Sequence, residues 1–302
     1  MSSEEGGAWW CVFSPVKMIV ESIKIIATNK VVFTSIMLLT TLPLSTLTIS
    51  QSISTHNLST QIHHLEALAR YAPTRFEARH VWHESRNEAL SLLRTKALFS
   101  IPSYLLSLAA ALSSVHSTLL ALHSKPPSLH SAATRLFATT IFVYAILLTF
   151  SPLPRAFASL GPSTASRLLL LGISSALEVY LMAVMSLSLV VSVAEERFGW
   201  EAIRVGFGLM EGNRVCGWVL SGLFVFASSF IGWKVERLMD GEDWMGVEDK
   251  ASVIVWYGVL VLWSYVIITL FYFHCRKRHP IREPQQLCNN LTSFYGLFLL
   301  YF

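Results

Sequence analysis

Six long apolar stretches alternate with charged segments along the chain, and one of them runs from Leu168 to Val193. About 26 residues at ~1.5 Å rise each are enough to cross a hydrocarbon layer of ~30 Å with some tilt. The pattern predicts an all-α polytopic membrane protein, a bundle of six transmembrane helices. The predicted membrane spans are residues 31–49, 97–123, 136–153, 168–193, 215–233 and 251–274.

Two of the charged segments carry apolar residues at helical spacing, which predicts interfacial amphipathic helices over about residues 15–28 and 199–210. In the first helix, Ser14 is placed as the N-cap and Pro15 as the first helical residue. Six spans would put both helices on the same side of the membrane. They form either a common cytoplasmic platform or simple connectors between spans.

Three further features of the apolar pattern concern the first span, the loop after it and the fifth span. Pro43 predicts a kink in the first span, because proline removes a backbone donor. The polar interval 50–96 keeps helical periodicity among its charges, which predicts one or two amphipathic helices rather than a soluble domain. In the fifth span, Gly217, Ser221 and Gly222 form a small-residue surface that predicts a close helix contact.

Composition agrees with a membrane protein, since 53% of the residues are hydrophobic and only 14% are charged. The net charge of +4 is spread over the segments between spans, so no nucleic-acid-binding stripe is predicted. Lys and Arg number twelve on the side of the N-terminus and eleven on the other side. The basic cluster at 276–278 favours cytoplasmic termini by the positive-inside rule.

The four cysteines have no CxxC spacing, so neither a disulfide framework nor a zinc site is predicted, and no cofactor is expected. Cys275 lies beside the basic cluster at the end of the sixth span. It is either a free thiol or a candidate for lipidation by palmitoylation.

Glu178 is the most informative single residue, because a carboxylate in the middle of a span is costly unless it faces the protein interior or binds a proton. It is either a proton or cation site in a transport path or a structural carboxyl that is protonated or hydrogen-bonded. His116, in the second span, is the other candidate polar residue within the membrane. Histidine at such a position is more often a packing residue than a ligand.

Catalytic motifs are not evident in the sequence. His80 and His83 share a helix face, but no acidic residue completes a known zinc signature. Glu195 and Glu196 resemble the glutamate pair of intramembrane CAAX-type proteases. Trp200 stands where those enzymes have an arginine, and their histidine motif is missing, so we reject that interpretation. A non-enzymatic protein is therefore expected, with no catalytic, cofactor-binding or metal-binding residues assigned.

Two stretches carry a family resemblance: VSVAEERFGWEAIRVGFGLMEGNR at 191–214 and SPVKMIVESIKIIATNKVVFTSIMLLTTLPLS at 14–45. They resemble the fourth-to-fifth span junction and the entry helix with first span of a plant family of uncharacterised six-span membrane proteins. The layout is also distantly similar to bacterial membrane domains that accompany glycerophosphodiester phosphodiesterases. The resemblance implies fold and membrane location, and supplies no agreed activity.

These observations predict a single transmembrane domain over residues 1–279 and an atypical C-terminal tail over 280–302. Three functions stay open. The first is a membrane-organising or partner-binding protein in an endomembrane or the plasma membrane, whose partners are the lipid bilayer and membrane proteins or a second copy of itself. The second is a small transporter or channel that uses Glu178, and the third is a lipid-handling membrane enzyme.

Overall fold

The computed structural model describes residues 5–71, 75–122, 129–150, 156, 163–195, 197–240 and 247–278, which are almost entirely helical. Within these ranges there is no β-strand. The described helices are α1 (Glu5–Thr28), α2 (Lys30–Ile36), α3 (Leu42–Tyr71), α4 (Arg75–Ala121), α5 (Leu129–Phe150), α6 (Thr164–Ala194), α7 (Trp200–Met210), α8 (Arg214–Asp240) and α9 (Val247–Arg278). The C-terminal tail that the sequence set apart lies outside the described residues.

Six helical segments are long and apolar enough to cross a membrane, which confirms the all-α polytopic fold. They are Lys30–Ile62, Val81–Ala121, His130–Phe150, Thr164–Ala194, Arg214–Arg237 and Glu248–Lys277. Each overlaps one of the spans predicted from the apolar pattern. Polar flanking residues extend most of them, because a helix can continue past the apolar layer where its side chains meet water.

The first span is irregular next to Pro43, as the sequence predicted. A π-helical turn at Met37–Thr41 separates α2 from α3, and the Leu42 N–H donates to the Met37 carbonyl five residues back. The Thr40 and Thr41 hydroxyls donate to backbone carbonyls of the preceding turn at 2.7 and 3.1 Å. The wider turn is thus located next to the proline, where a backbone donor is missing.

The loop helices predicted over 50–96 are not separate elements. Helix α3 continues the first span to Tyr71, and α4 runs unbroken from Arg75 into the second span. In the polar part of α3 the Thr55 and Thr60 hydroxyls donate to carbonyls one turn earlier, so they are paired within the helix. The polar part of α4 is rich in Arg, Glu, Leu and Ala, which are good helix formers.

The entry helix begins at Glu5 rather than at Pro15, so the predicted start was wrong and Pro15 lies inside α1. An apolar run precedes the proline, and near a membrane helical pairing of backbone groups is favoured over leaving them unpaired. The buried side of α1 carries Met18 and Ser22, whereas Ile23 is 52% exposed. Helix α7 was predicted within one residue of its observed ends.

The chain divides into two compact units. One comprises residues 30–114 and 226–263, and its core includes Ile49, Val235 and Val253. In the same unit the Arg237 guanidinium lies 4.6 Å from the centre of the Trp233 ring, a cation–π contact.

The other unit comprises residues 1–29, 115–225 and 264–302, and it contains the candidate site. Helix α6 packs along both α5 and α7 in this unit. The buried residues of α6 lie in its second half and include Val184, Leu187 and Val191. The C-terminal end of α6 is therefore the well-packed end, and it leads directly into the segment before α7.

Candidate functional site

Charged and polar side chains of three helices converge on the segment between α6 and α7. Helix α6 ends at Ala194 and α7 begins at Trp200, so the described residues Glu195, Arg197, Phe198 and Gly199 connect them. The start of α5 and the end of α9 also contribute residues. We call this set of contacts the junction, and all of its described members lie in one compact unit.

The Glu195 carboxylate is the centre of the junction. Its Oε1 accepts a hydrogen bond from the Tyr272 hydroxyl at 2.8 Å and an ion-paired hydrogen bond from Arg276 at 3.0 Å. Its Oε2 lies 3.8 Å from the Arg197 Nε. The Glu195 side chain is only 14% exposed, so it needs these partners to offset the loss of hydration.

The backbone of the same segment is held by α5. Arg135 donates to the Glu195 carbonyl at 3.0 Å, although sixty residues separate the two in sequence. Carbonyls at a helix C-terminus have no intrahelical donor and carry partial negative charge, so a guanidinium satisfies both needs. The Gly199 N–H donates to the Thr139 hydroxyl at 2.9 Å, which places the start of α7 against α5.

Two glycines set the path of the chain through the junction. Gly199 has φ +60° and ψ −131°, a conformation that only glycine adopts without strain. Gly206, one turn and a half into α7, faces the α6 backbone. A Cβ added to Gly206 would lie 3.1 Å from the Ser188 backbone nitrogen and would overlap the Ser188 hydroxyl. The short α7 can pack flat on α6 only because this position has no side chain.

Arg197 links the connecting segment to α7 itself. Its guanidinium lies 3.3 Å from the Glu201 carboxylate, one turn further along the chain. Glu201 is in the first helical turn, where a negative charge also interacts favourably with the helix dipole. The arrangement joins three helices through charge-assisted hydrogen bonds. It presents α7 and the exposed Phe198 and Trp200 side chains at the surface.

A second polar contact lies between the start of α8 and the end of α9. The Asn213 amide donates to the Cys275 Sγ at 3.7 Å, and both side chains are buried. The Cys275 thiol has no exposed surface, so acylation would require this end of α9 to open. Palmitoylation of Cys275 stays a prediction.

The predicted close contact at Gly217 is present in the structure. A Cβ on Gly217 would lie 2.6 Å from the Met210 sulfur and 3.0 Å from the Phe271 ring, so α8 approaches both neighbours closely here. A small apolar crevice nearby is lined by residues of α6, α8 and α9, among them Ala183, Gly217 and Phe271. Glu178 does not line it.

Glu178 lies in the less tightly packed first half of α6 and is half-buried. Among the described residues, none forms a hydrogen bond or ion pair with its carboxylate. Helix α8 passes close by, since the Trp218 indole donates to the Ala176 carbonyl at 3.0 Å. His116 is also half-buried, on α4, and Glu178 and His116 are not part of the junction.

The histidine pair considered for metal binding lies on α4. His83 is exposed, and the side chain of His80 lies outside the described part of the structure. In the described ranges, no group of three or more His, Cys, Asp or Glu residues is placed to hold a metal ion.

Sequence reasoning noticed the acidic pair that contains Glu195 and the basic cluster that contains Arg276, but did not connect the two. A stronger signal was the position of the charged residues relative to the ends of the spans. Under a six-span topology Arg135, at the start of the third span, lies on the same side of the membrane as Tyr272 and Arg276 at the end of the sixth. Charged residues at span ends on one side are candidates for mutual contact.

Comparison with known proteins gives a family for the chain. Residues 12–299 match a domain of unknown function, DUF8558, and the chain therefore belongs to that family. The match includes most of the segment after residue 280. No curated protein and no solved structure matches the chain.

Proposed function

We propose that this member of the DUF8558 family is a non-enzymatic integral membrane protein that organises the membrane or its protein partners. Its platform is the exposed surface of α7 together with Phe198, on the junction. The observation that carries the proposal is the contact pattern of Glu195, whose oxygens all bind groups of the protein itself. Such an arrangement fixes the position of α7 and favours a docking role over a reactive one.

The exposed aromatic residues of the platform support docking. Phe198 is 60% exposed and Trp200 53% exposed, at the start of a helix that is otherwise held firmly against α6. Large aromatic side chains in rigid surroundings are efficient binding groups, because little conformational freedom is lost when they are covered. The partner is a membrane protein or a second copy of this chain, in an endomembrane or the plasma membrane.

Proximity labelling tests the proposal. The wild-type chain, a Phe198→Ser/Trp200→Ser variant and a Trp256→Ser control are compared, since Trp256 is also more than half exposed but lies within the sixth candidate span. We expect a set of neighbouring membrane proteins, or self-labelling, to be lost only in the α7 variant. Direct cross-linking of one of these neighbours to α7 then confirms the contact. Identical neighbours in all three forms, at equal expression, would contradict the proposal.

A transporter or channel that uses Glu178 is the second candidate. The observation in its favour is a half-buried carboxylate in the middle of a candidate span with no bonding partner among the described residues. Purified protein in proteoliposomes is expected to lose proton- or cation-dependent flux in Glu178→Gln and to keep it in Glu236→Gln, an exposed control near the far end of α8. Equal flux in both variants would exclude this use of Glu178.

A lipid-handling enzyme is the third candidate, and it predicts polar groups that converge at one membrane boundary. The junction lies at the polar ends of candidate spans, although its polar side chains bind one another. Incubation of the purified protein with phospholipid substrates tests it. Activity that is lost in Tyr272→Phe, with the fold retained, would support an enzyme at the junction. Unchanged activity in a His80/His83 double variant would exclude a histidine site on α4.

A further inference from the structure

Among the side chains that the structure describes, basic residues outnumber acidic ones by six to three in the segments that form or border the junction, residues 129–135, 195–214 and 274–277. The basic residues are Arg135, Arg197, Arg204, Arg214, Arg276 and Lys277, and the acidic ones are Glu195, Glu201 and Glu211. Internal pairing with these three carboxylates therefore leaves an excess of positive charge. The excess favours an anionic ligand at this place.

The depth of these residues follows from the helices that carry them. Four candidate spans begin or end here, at His130, Ala194, Arg214 and Lys277. Their polar ends mark the boundary of the apolar layer, which is where the phosphate groups of lipids lie. Phe198 and Trp200 are exposed beside the charges, and aromatic residues favour this same depth.

The guanidinium groups have donors available for a further ligand. Arg276 directs one terminal nitrogen to Glu195 and keeps 25% of its side-chain surface exposed, and Arg197 keeps 32%. A guanidinium has five N–H donors, so the bonds to Glu195 and Glu201 do not use them all. Lys277 is exposed next to Arg276. Arginine and lysine placed in this way bind phosphate oxygens through charge-assisted hydrogen bonds.

We propose that Arg197, Arg276 and Lys277 bind the phosphate of an anionic phospholipid headgroup. Basic clusters at the ends of transmembrane helices commonly recognise such headgroups. The depth and the exposed aromatic residues favour a lipid over a soluble phosphate. The site borders the α7 platform proposed above, but lipid binding is measured without a protein partner, so the two proposals can fail separately.

Lipid titration of the purified chain in a neutral detergent tests the site. The probes are phosphatidylglycerol, phosphatidylcholine and inorganic phosphate, and binding is read by native mass spectrometry and by the rise in melting temperature. Phosphatidylglycerol is expected to bind more tightly than phosphatidylcholine. Lys277→Gln should weaken that binding by about fivefold, and Arg197→Gln/Lys277→Gln by about 25-fold, since each basic residue near a membrane surface contributes a comparable factor.

Lys234→Gln is the matched control, because this exposed lysine lies near the other end of α8. It should bind phosphatidylglycerol like the wild type. Equal affinity for the two lipids, wild-type affinity in Lys277→Gln, or an equal loss in the control would each overturn the proposal. Competition by millimolar inorganic phosphate would identify a free-phosphate site instead. Lys277 has no described contact, so its variant tests the site without disturbing the Glu195 contacts.

Discussion

At the scale of single residues, Gly206 lies where α7 approaches α6 too closely for any side chain. Gly206→Ala places a methyl group against the Ser188 backbone and hydroxyl. We expect the free energy of unfolding to fall by about 1 to 3 kcal/mol, because the α6 backbone cannot move aside as a flexible side chain would. Thermal unfolding of the detergent-solubilised protein measures it. Gly172→Ala on α6 is the control, since nothing lies within 4 Å of its added Cβ, and it should be neutral or stabilising. Equal melting temperatures would contradict this account.

Glu195 and Arg276 give a second prediction at this scale. Both side chains are mostly buried and meet at 3.0 Å, so removal of either leaves an uncompensated charge or unpaired donors. A double-mutant cycle with Glu195→Gln and Arg276→Gln should yield a coupling energy of about 1 to 3 kcal/mol. The exposed pair Glu211 and Arg214, 3.9 Å apart, is the control and should couple by less than about 0.5 kcal/mol. Equal coupling in both cycles would show that the junction pair contributes no more than a surface contact.

At the scale of elements, the hydrogen bond from the Gly199 N–H to the Thr139 hydroxyl helps to hold the start of α7 against α5. Thr139→Val keeps the shape of the side chain but removes the acceptor, so a buried N–H loses its partner. We expect the free energy of unfolding to fall by about 1 to 3 kcal/mol, and hydrogen exchange to become faster in the first turn of α7. Thr149→Val is matched on the same helix, since among the described residues its exposed hydroxyl bonds only the Ala145 carbonyl. Unchanged exchange in α7 would refute the role of Thr139.

The helices also show which features of the fold the sequence predicts and which it does not. The six spans follow from apolar runs whose length alone requires them to be membrane helices or buried ones. The sequence predicted helices in the polar interval but not the continuity of α3 from the first span to Tyr71, because Ser, Thr and His have weak helix propensity. The junction was missed for a different reason. Arg135 is 60 residues before Glu195 and Tyr272 is 77 after it, and no local pattern encodes contacts at that separation.

At the scale of the whole molecule, the length of the second candidate span indicates that part of it lies outside the membrane. The second candidate span, Val81–Ala121, has 41 residues. At ~1.5 Å each it is ~60 Å long, about twice the hydrocarbon thickness, so one part of it projects into water. The projecting part is the charged N-terminal one, which contains the exposed Trp82. Asn57, a glycosylation sequon in the sequence, lies within the first candidate span and is a poor reporter.

Labelling of single cysteines introduced at positions 82 and 200 tests the six-span topology. With six spans the two positions face opposite sides, and the basic cluster at 276–278 leads us to expect Trp200 on the cytoplasmic side. In a chain whose native cysteines are replaced, Trp82→Cys should react with an impermeant maleimide on intact cells, and Trp200→Cys only after permeabilisation. Both side chains are more than half exposed, so access within the protein does not limit the reaction. Labelling of both on intact cells would exclude an odd number of spans between them and with it the six-span topology. The reverse pattern would keep the spans and invert the orientation, which would move the junction out of contact with the anionic cytoplasmic leaflet.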